Sequence, residues 1–504
     1  MVYNRHRVRA NLKVWSIPAK KSSWRPPDRA ELYLFIGSCR IRRRTTYDIL
    51  CGPNTFLLES VKGPRKIARY SFIGIDPCAT ITTRGGVTEI SSPGKKGLSQ
   101  VHPLKLLKGL IAPYRQNPWD CLPPFQGGIT GLLCYDFVHY LERLPARAAN
   151  DLLLPESHFF VTDKLVAFDH AERKSWIIAC PGVQETICCR SSPEWSGLYD
   201  KAEQTIEDIQ RRVSDFGPER VQPDRDQRGA IEIIYEMKKS EYMRIVRRAK
   251  EYIAAGDIFQ ANLSQRVSAD IGDRDPWKLY KILRTINPSP FAAFMHFGDY
   301  QIVSSSPERL LRVKAGTVET RPIAGTRPRG RSRSEDELMR RELLLNEKER
   351  AEHIMLIDLE RNDLGRVSDY GTVRVDELMI TEDYSHVIHI VSNVTGSMAA
   401  GKDCFDAIRA AFPGGTITGV PKVRCMEIID ELEPVRRGPY TGSIGYVGFS
   451  GNMDLNIVIR SFVIKDRKAF VQVGAGIVAD SDPEREYYET LKKGEALIRT
   501  LETV

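Results

Sequence analysis

Glu349-Arg350-Ala351-Glu352-His353-Ile354-Met355-Leu356-Ile357-Asp358-Leu359-Glu360-Arg361-Asn362-Asp363-Leu364-Gly365-Arg366 is the most informative run of residues in the chain. As a helix it puts Glu349, Glu352 and His353 at i, i+3 and i+4, on one face. A second acidic helix closes the chain. There Glu486, Glu489 and Lys493 share a face, with Tyr487, Leu491, Gly494, Ile498 and Leu501 as the opposite, core-facing stripe. Gly474-Ala475-Gly476 lies between the two helices. Two glutamate faces brought together suit a hard divalent cation such as Mg²⁺, which takes oxygen ligands and leaves positions open for a substrate carboxylate. Taken alone, each glutamate reads better as part of a solvated helix face, so the rest of the chain has to decide.

Outward from this stretch the sequence continues in a recognisable order. His386-Val387-Ile388-His389, Pro421-Lys422-Val423-Arg424 and Gly474-Ala475-Gly476-Ile477-Val478-Ala479-Asp480-Ser481 follow it. Leu57-Leu58-Glu59-Ser60, Arg69-Tyr70-Ser71-Phe72-Ile73-Gly74 and Tyr135-Asp136 precede it. The ordered series resembles the chorismate-utilising enzymes, and among them the large (aminase) subunits of anthranilate synthase and aminodeoxychorismate synthase. The resemblance spans 46–180 and 237–500. It implies an α+β sandwich of two large, mostly antiparallel sheets with outer helices.

Composition agrees with a large enzyme. With 504 residues, 42% of them hydrophobic, the chain can bury a two-part core, and no apolar run is long enough to span a bilayer. The ten cysteines are scattered without a C-x-x-C pair, which argues against a zinc site or disulfide scaffold and for reduced thiols in the cytoplasm. The net charge of +9 is local. Residues 1–44 hold twelve Lys/Arg against Asp28 and Glu31, leaving 62 basic and 63 acidic groups in the remainder. A neutral body speaks against nucleic acid as a partner. A nucleic-acid-binding tail is the outside alternative; it would bind in a salt-sensitive way.

Four regions are expected: a disordered basic extension over 1–45, a β-rich part over 46–180, a linker over 181–236 and a catalytic part over 237–500. Strands are expected at Ala79–Thr83, Val87–Ile90, Lys164–Asp169, Gln301–Ser305, Gly442–Phe449, Asn456–Ile464 and Ala469–Val473. Helices are expected at Leu198–Val213 and Ser240–Ala255, the latter stopped by Gly256. Strands joined by turns, without regular β-α units, predict a largely antiparallel sheet.

An enzyme that displaces the allylic hydroxyl of the chorismate dianion needs a clamp for each carboxylate, a Lewis acid and a proton donor. The resemblance implies Glu352 and Glu489 as Mg²⁺ ligands, with Glu349 and Glu486 reaching the ion through water. It implies Arg460, near the end of a strand, as a two-donor fork for the other carboxylate, completed by Tyr440 and the backbone of Gly474, Ala475 and Gly476. Gly325, Thr326 and Thr416 fall at substrate positions, and His389 and Lys493 are the candidates for moving protons. For His386 a structural role is expected. Gly414-Gly415-Thr416-Ile417-Thr418-Gly419 lacks the Gly-Lys-Ser/Thr ending of a phosphate loop, because Pro421 precedes Lys422. No cysteine sits in a glutaminase-like turn, so a separate glutamine amidotransferase subunit is implied.

The product is read in two ways. Gln260–Arg266, Ser304–Arg309 and Met453–Ile457 look like aminodeoxychorismate synthase, which aminates chorismate at the para carbon. Ala324 stands where many of those enzymes carry a ring-attacking lysine, and alanine there looks like anthranilate synthase. Ser60, Pro290, Phe291 and Ala292 fall where the family binds feedback tryptophan, a site that usually reads Pro-Tyr-Met. The altered residues point away from tryptophan control, so para amination is placed first, anthranilate formation second and isochorismate formation third.

Overall fold

The computed structural model describes residues 14–15, 35–38, 43–64, 66–185, 195–214, 229–384 and 387–504. Their strands form two large sheets, and every named ladder is antiparallel. The first runs through Lys174–Ala179, Lys164–Asp169, Tyr70–Gly74, Thr55–Glu59, Phe291–His296, Tyr300–Ser306, Ser461–Lys465, Lys468–Ile477 and Gln260–Asp270. The second runs through Ile323–Pro328, Val387–Ser397, Thr317–Thr320, Arg309–Lys314, Met453–Asn456, Ser443–Gly448, Gly128–Leu133, Ser157–Thr162 and Ala79–Arg84. Both sheets draw strands from 46–180 and from 237–500.

Strand side chains alternate between two apolar layers, as the two-residue period requires. Phe56, Phe72, Met295 and Ile302 enter the layer between the sheets, where Phe160, Ile129 and Tyr446 meet them. Their neighbours Leu57, Ile73, Phe294 and Val303 point to the outer face of the first sheet. That face is covered by the helices Trp195–Ser214, Pro276–Ile286 and Pro483–Thr503, through Ile206, Leu283 and Leu497. Helix Trp195–Ser214 lies inside the expected linker and packs as part of the core. Within the segment expected to be disordered, Phe35–Ser38 pairs with Trp176–Ala179, Val14–Trp15 pairs with Ile36–Gly37, and a helix starts at Arg43.

One strand expectation fails in an instructive way. Asn456–Ile464 is two strands: Met453–Asn456 belongs to the second sheet and Ser461–Lys465 to the first. The chain passes between sheets at Ile457–Arg460, and Arg460 itself is left-handed, with φ of 52°. Alternating apolar residues run on through the crossover, so sequence pattern alone carries no sign of it. The C-terminal helix differs too. Its buried positions are Glu486, Thr490, Gly494, Leu497, Thr500 and Leu501, whereas Tyr487, Leu491 and Ile498 are half-buried. The cause is close docking on Lys468–Ile477: a Cβ on Gly494 would stand 3.3 Å from Val473 Cγ1, and Gln265 Nε2 donates to Thr490 Oγ1 at 2.5 Å. Glu486 therefore points toward the sheet instead of away from it.

Candidate active site

Two crossovers between the sheets create the site. Tyr300–Ser306 ends in the first sheet, Arg309–Lys314 begins in the second, and Pro307-Glu308 bridges them. The second crossover, Ile457–Arg460, runs alongside. Ile457 N–H donates to Glu308 O at 3.0 Å, and Ser305 N–H donates to Arg460 O at 3.1 Å. Glu308 and Arg460 are thus neighbours although 152 positions separate them. Glu308 is 6% exposed and accepts from Thr416 Oγ1 at 2.9 Å. Burial pushes its carboxyl up to about 7, opposed by the bonds from Thr416 and Ile323 and the charges of Arg460 and Lys493. Among the described residues no carboxylate lies within ion-pair distance of the Arg460 guanidinium, and Glu308 is the acid that acts on it most strongly. A carboxyl poised near neutrality beside an unpaired guanidinium can donate a proton while the guanidinium holds an anion.

The loop carrying Thr416 is fixed from below by Arg437. This buried guanidinium donates to Glu433 at 2.9 and 2.7 Å, to Ile417 O at 3.1 Å and to Asn262 O at 2.6 Å. With both partners almost fully buried, breaking the Arg437–Glu433 pair would cost about 3–5 kcal/mol. Tyr440, three residues on, is buried with its hydroxyl against Gly474: a Cβ there would stand 2.7 Å from the Tyr440 oxygen. Gly476 is equally closed, its Cβ position 2.5 Å from Gln260 Nε2 and 3.8 Å from Glu352 Oε1. Between them, Ala475 is fully buried in the apolar cluster of Tyr242, Met426 and Ile477. The two-residue period turns its methyl away from the site, so only its backbone faces the cleft.

Glu352 accepts from Gln260 Nε2 at 3.0 Å, and its carboxyl is raised by burial and then by Glu349. Glu349 accepts from Arg327 at 3.3 Å and lies over Gly325, where a Cβ would meet Glu349 Oε2 at 2.9 Å. Across the cleft, Lys493 Nζ donates to Gly474 O at 3.2 Å and pairs with Glu489 at 2.9 Å. Glu486 is raised by burial, with Glu489 adding repulsion, and its Oε2 is buried without a hydrogen-bond partner. Glu352 and Glu486 feel the same two lysines, Lys348 and Lys493, which places the two glutamate helices around one space. Among the described residues no three acidic, histidine or cysteine side chains converge closely enough to cage a metal. Paired carboxylates with raised affinity for protons, one with an orphaned oxygen, fit a hard divalent cation that takes its other ligands from water and substrate.

The two histidines differ. His353, expected on the glutamate face, is fully buried and bonded to Ser392 Oγ at 2.7 Å; helical geometry turns it under the helix onto Val387–Ser397. His389 Nδ1 lies 3.1 Å from Gly325 O and 3.0 Å from Thr326 Oγ1. A carbonyl only accepts, so Nδ1 carries the proton and Nε2, buried without a partner, presents a lone pair. Burial and then Arg460 push this imidazole down to about 4. Ala324 is half-buried beside it, paired with Ile390. His386 lies outside the described residues.

Ser60, Pro290, Phe291 and Ala292 line a separate cavity of about 220 Å³ between the sheets, with Lys66, Arg309 and Asp454 on its walls. The Arg309 guanidinium lies 5.0 Å over the Phe291 ring and is bonded to Asp454 at 2.8 Å and Glu319 at 3.1 Å. Two site residues escaped sequence reasoning, Glu308 and Gln260. For Glu308 a signal existed: an acid between Ser304-Ser305-Ser306-Pro307 and the apolar Leu310-Leu311, where burial would have to disturb its ionisation.

A family model described as chorismate binding enzyme matches residues 53–499. The chain is 45% identical to anthranilate synthase component 1 of Acetivibrio thermocellus, over 89% of this chain and 90% of that one. It is 43% identical to aminodeoxychorismate synthase component 1 of Bacillus subtilis, over 88% and 91%. Among solved structures, anthranilate synthase component I from Streptococcus pneumoniae superposes with a TM-score of 0.74 at 32% identity, covering 91% of this chain and 98% of that one. No helix among the described residues is long and apolar enough to cross a membrane. A cleft of acids, guanidinium and close-approach glycines, a two-sheet fold and near-complete coverage at this identity agree, and the chain belongs to the chorismate binding enzyme family.

Proposed function

We propose that the chain replaces the C4 hydroxyl of chorismate with ammonia to give 4-amino-4-deoxychorismate and water, in the cytoplasm, with ammonia delivered by a glutamine amidotransferase subunit. The observation that carries the reading is the Glu308–Arg460 pair at the two sheet crossovers. Glu308, protonated near neutral pH, gives its proton to the departing hydroxyl. Arg460, Tyr440 and the amides about Gly474 and Gly476 hold one carboxylate, while Gly325, Thr326 and Thr416 shape the pocket. Mg²⁺, held by Glu352 and Glu489 with Glu349 and Glu486 behind them, supplies Lewis acidity toward the ring carboxylate when bound. Lys493 places a positive charge where Glu308 and Glu352 both feel it.

Para amination is favoured by the second cavity. Pro290, Phe291 and Ala292 line it where a tryptophan-controlled enzyme is expected to read Pro-Tyr-Met, so Phe291 and Ala292 replace its tyrosine and methionine, and the Bacillus subtilis relative carries the para-directed name. Anthranilate formation is the second reading, favoured by Ala324, whose methyl cannot add to the ring, and by the Acetivibrio relative. Under that reading the Nε2 lone pair of His389 accepts the proton during loss of pyruvate. Chromatography of products from chorismate, ammonium and Mg²⁺, with and without an added aminodeoxychorismate lyase, separates the two. p-Aminobenzoate appearing only with the lyase is expected; fluorescent anthranilate from the chain alone would reverse the order. The same assay with glutamine as nitrogen source should be silent until a glutaminase subunit is added.

Arg460→Lys is expected to raise the KM for chorismate by roughly tenfold or more, since lysine keeps the charge but loses the planar fork. A near-normal KM in this variant would move the carboxylate clamp elsewhere.

A further inference from the structure

Glu360 is a buried acid that the chemistry above leaves unused. It lies on the helix Glu347–Gly365, two turns beyond Glu352. Two neighbours set it beside both supports of Glu308. Its carboxyl is hydrogen-bonded to Thr320, whose hydroxyl donates at 2.9 Å to the carbonyl of Leu310, two residues past Glu308. On its other side is Gly415, next to the Thr416 that donates to Glu308; a Cβ on Gly415 would stand 3.5 Å from Glu360 Oε1. The two carboxyls are near enough that the Glu308 charge acts on Glu360.

The hydrogen bonding decides which form Glu360 takes. A hydroxyl has a single hydrogen to give, and that of Thr320 goes to Leu310 O. The hydrogen between Thr320 and Glu360 therefore comes from Glu360, so the carboxyl is protonated. Among the described residues it has no ion-pair partner: Lys422, the cation that acts on it, is bonded to Asp363 and to Ala411 O at 3.1 Å. Burial and then the Asp363 charge raise the Glu360 carboxyl, in keeping with a held proton. Asp363 is buried too, while the Lys422 side chain is 13% exposed and forms the outer end of the line. Facing the line are Glu308 from the crossover, Thr320 from the second sheet, Lys422 from the helix Lys422–Leu432 and the Arg366 charge beyond Asp363. Arg460 and Lys493 act on its inner end, Glu308.

The reaction creates a need for a held proton. As ammonia bonds to C4 the C4–O bond breaks, and the proton of Glu308 leaves in the water formed. The product amine keeps its three hydrogens as an alkylammonium at neutral pH, so it returns none to Glu308. Each turnover thus takes up a proton from solution, and that proton has to reach a buried carboxylate. We propose that Glu360 reprotonates Glu308 after each turnover and is itself refilled from solvent through Lys422 and Asp363. Lys422 passes a proton to Asp363, Asp363 passes it to Glu360, and solvent restores the ammonium. This role rests on Glu308 acting as the acid in chorismate amination.

Glu360→Gln puts a neutral amide in place of the neutral carboxyl and keeps a hydrogen for Thr320, but it cannot pass a proton. Steady-state kcat should fall by roughly 10²-fold, with kcat/KM for chorismate within about twofold, because the slow step now follows product formation. In rapid-quench experiments the variant should make about one product per site at the wild-type rate before slowing. Added imidazolium buffer should restore part of the lost steady-state rate. Equal losses in kcat and kcat/KM, a missing burst, or a wild-type kcat would overturn the relay. Asp363→Asn should show the same burst and carries the test if Glu360→Gln fails to fold. A second arm needs no turnover. A protonated-carboxyl component of the infrared spectrum should vanish in Glu360→Gln and persist in Glu308→Gln. Should the wild type aminate no chorismate, the functional reading fails and this arm decides alone: a spectrum unchanged by Glu360→Gln overturns the held proton.

Discussion

Glu308→Gln is expected to lower kcat by about 10²–10⁴-fold, the range typical of a lost general acid. Glutamine can still accept the Thr416 hydroxyl bond, but it has no proton to give. The pH profile supplies a second signature. Burial sets the Glu308 carboxyl near 7, so the donor form dominates below that value and the wild-type rate should fall as pH rises through about 7. Ammonia becomes more available over the same range, so rates must be compared at equal free ammonia. The residual rate of the variant should lack this alkaline limb. The linkage sign distinguishes a chemical from a structural defect. A carboxyl raised from 4.5 to about 7 in the folded state costs stability as pH rises across that window, and the neutral glutamine is spared the cost. At pH 8 the variant should therefore melt at or above the wild-type temperature while being slow. A variant that is both slow and unstable at pH 8, or one that keeps the alkaline limb, would remove Glu308 from proton transfer.

Loss of the metal should be comparably severe. Glu352→Gln and Glu489→Gln are each expected to weaken Mg²⁺ binding by at least roughly tenfold and to cut turnover by orders of magnitude. At Glu352 the amide oxygen can still accept from Gln260, and burial and Glu349 already disfavour the charge there, so the fold should tolerate the change. Calorimetric titration with Mg²⁺ checks binding independently of catalysis. Full activity in a chelator, or an unaltered Mg²⁺ isotherm in both variants, would place the ion outside this cleft. Glu486 offers a graded control: it is proposed to reach the ion through water and not directly, so Glu486→Gln should weaken Mg²⁺ binding less than a change at either proposed direct ligand.

The sequence was legible where chemistry is local. The acidic helices and the close-approach glycines Gly474 and Gly476 stand out in the sequence itself, while Gly325, Thr326 and His389 were named through the resemblance. Spacing along a helix or strand places side chains within one element, and close-approach glycines have no substitute where a Cβ would collide with Tyr440 or Gln260. Reading failed where a neighbour in space redefined a face. Helical spacing put His353 on one face with Glu349 and Glu352, and Glu486 on the face opposite the core stripe, yet both are buried because a sheet lies on that side. Ala475 sits in the middle of a binding motif, yet its side chain belongs to the core.

Residue order alone carries the inventory: an antiparallel α+β enzyme, its acids, its glycines and its family. How that inventory meets depends on packing between segments far apart in the chain. Glu308 and Arg460 come from distant segments, and nothing in either segment announces that both cross between sheets at the same place. A crossover needs no special local pattern, because the apolar alternation that fits one sheet continues into the other; the left-handed turn at Arg460 is imposed by the two ladders on either side. The shifted ionisation of Glu308 follows from the same meeting, since burial arises from the packing around a carboxyl and not from its neighbours in the chain.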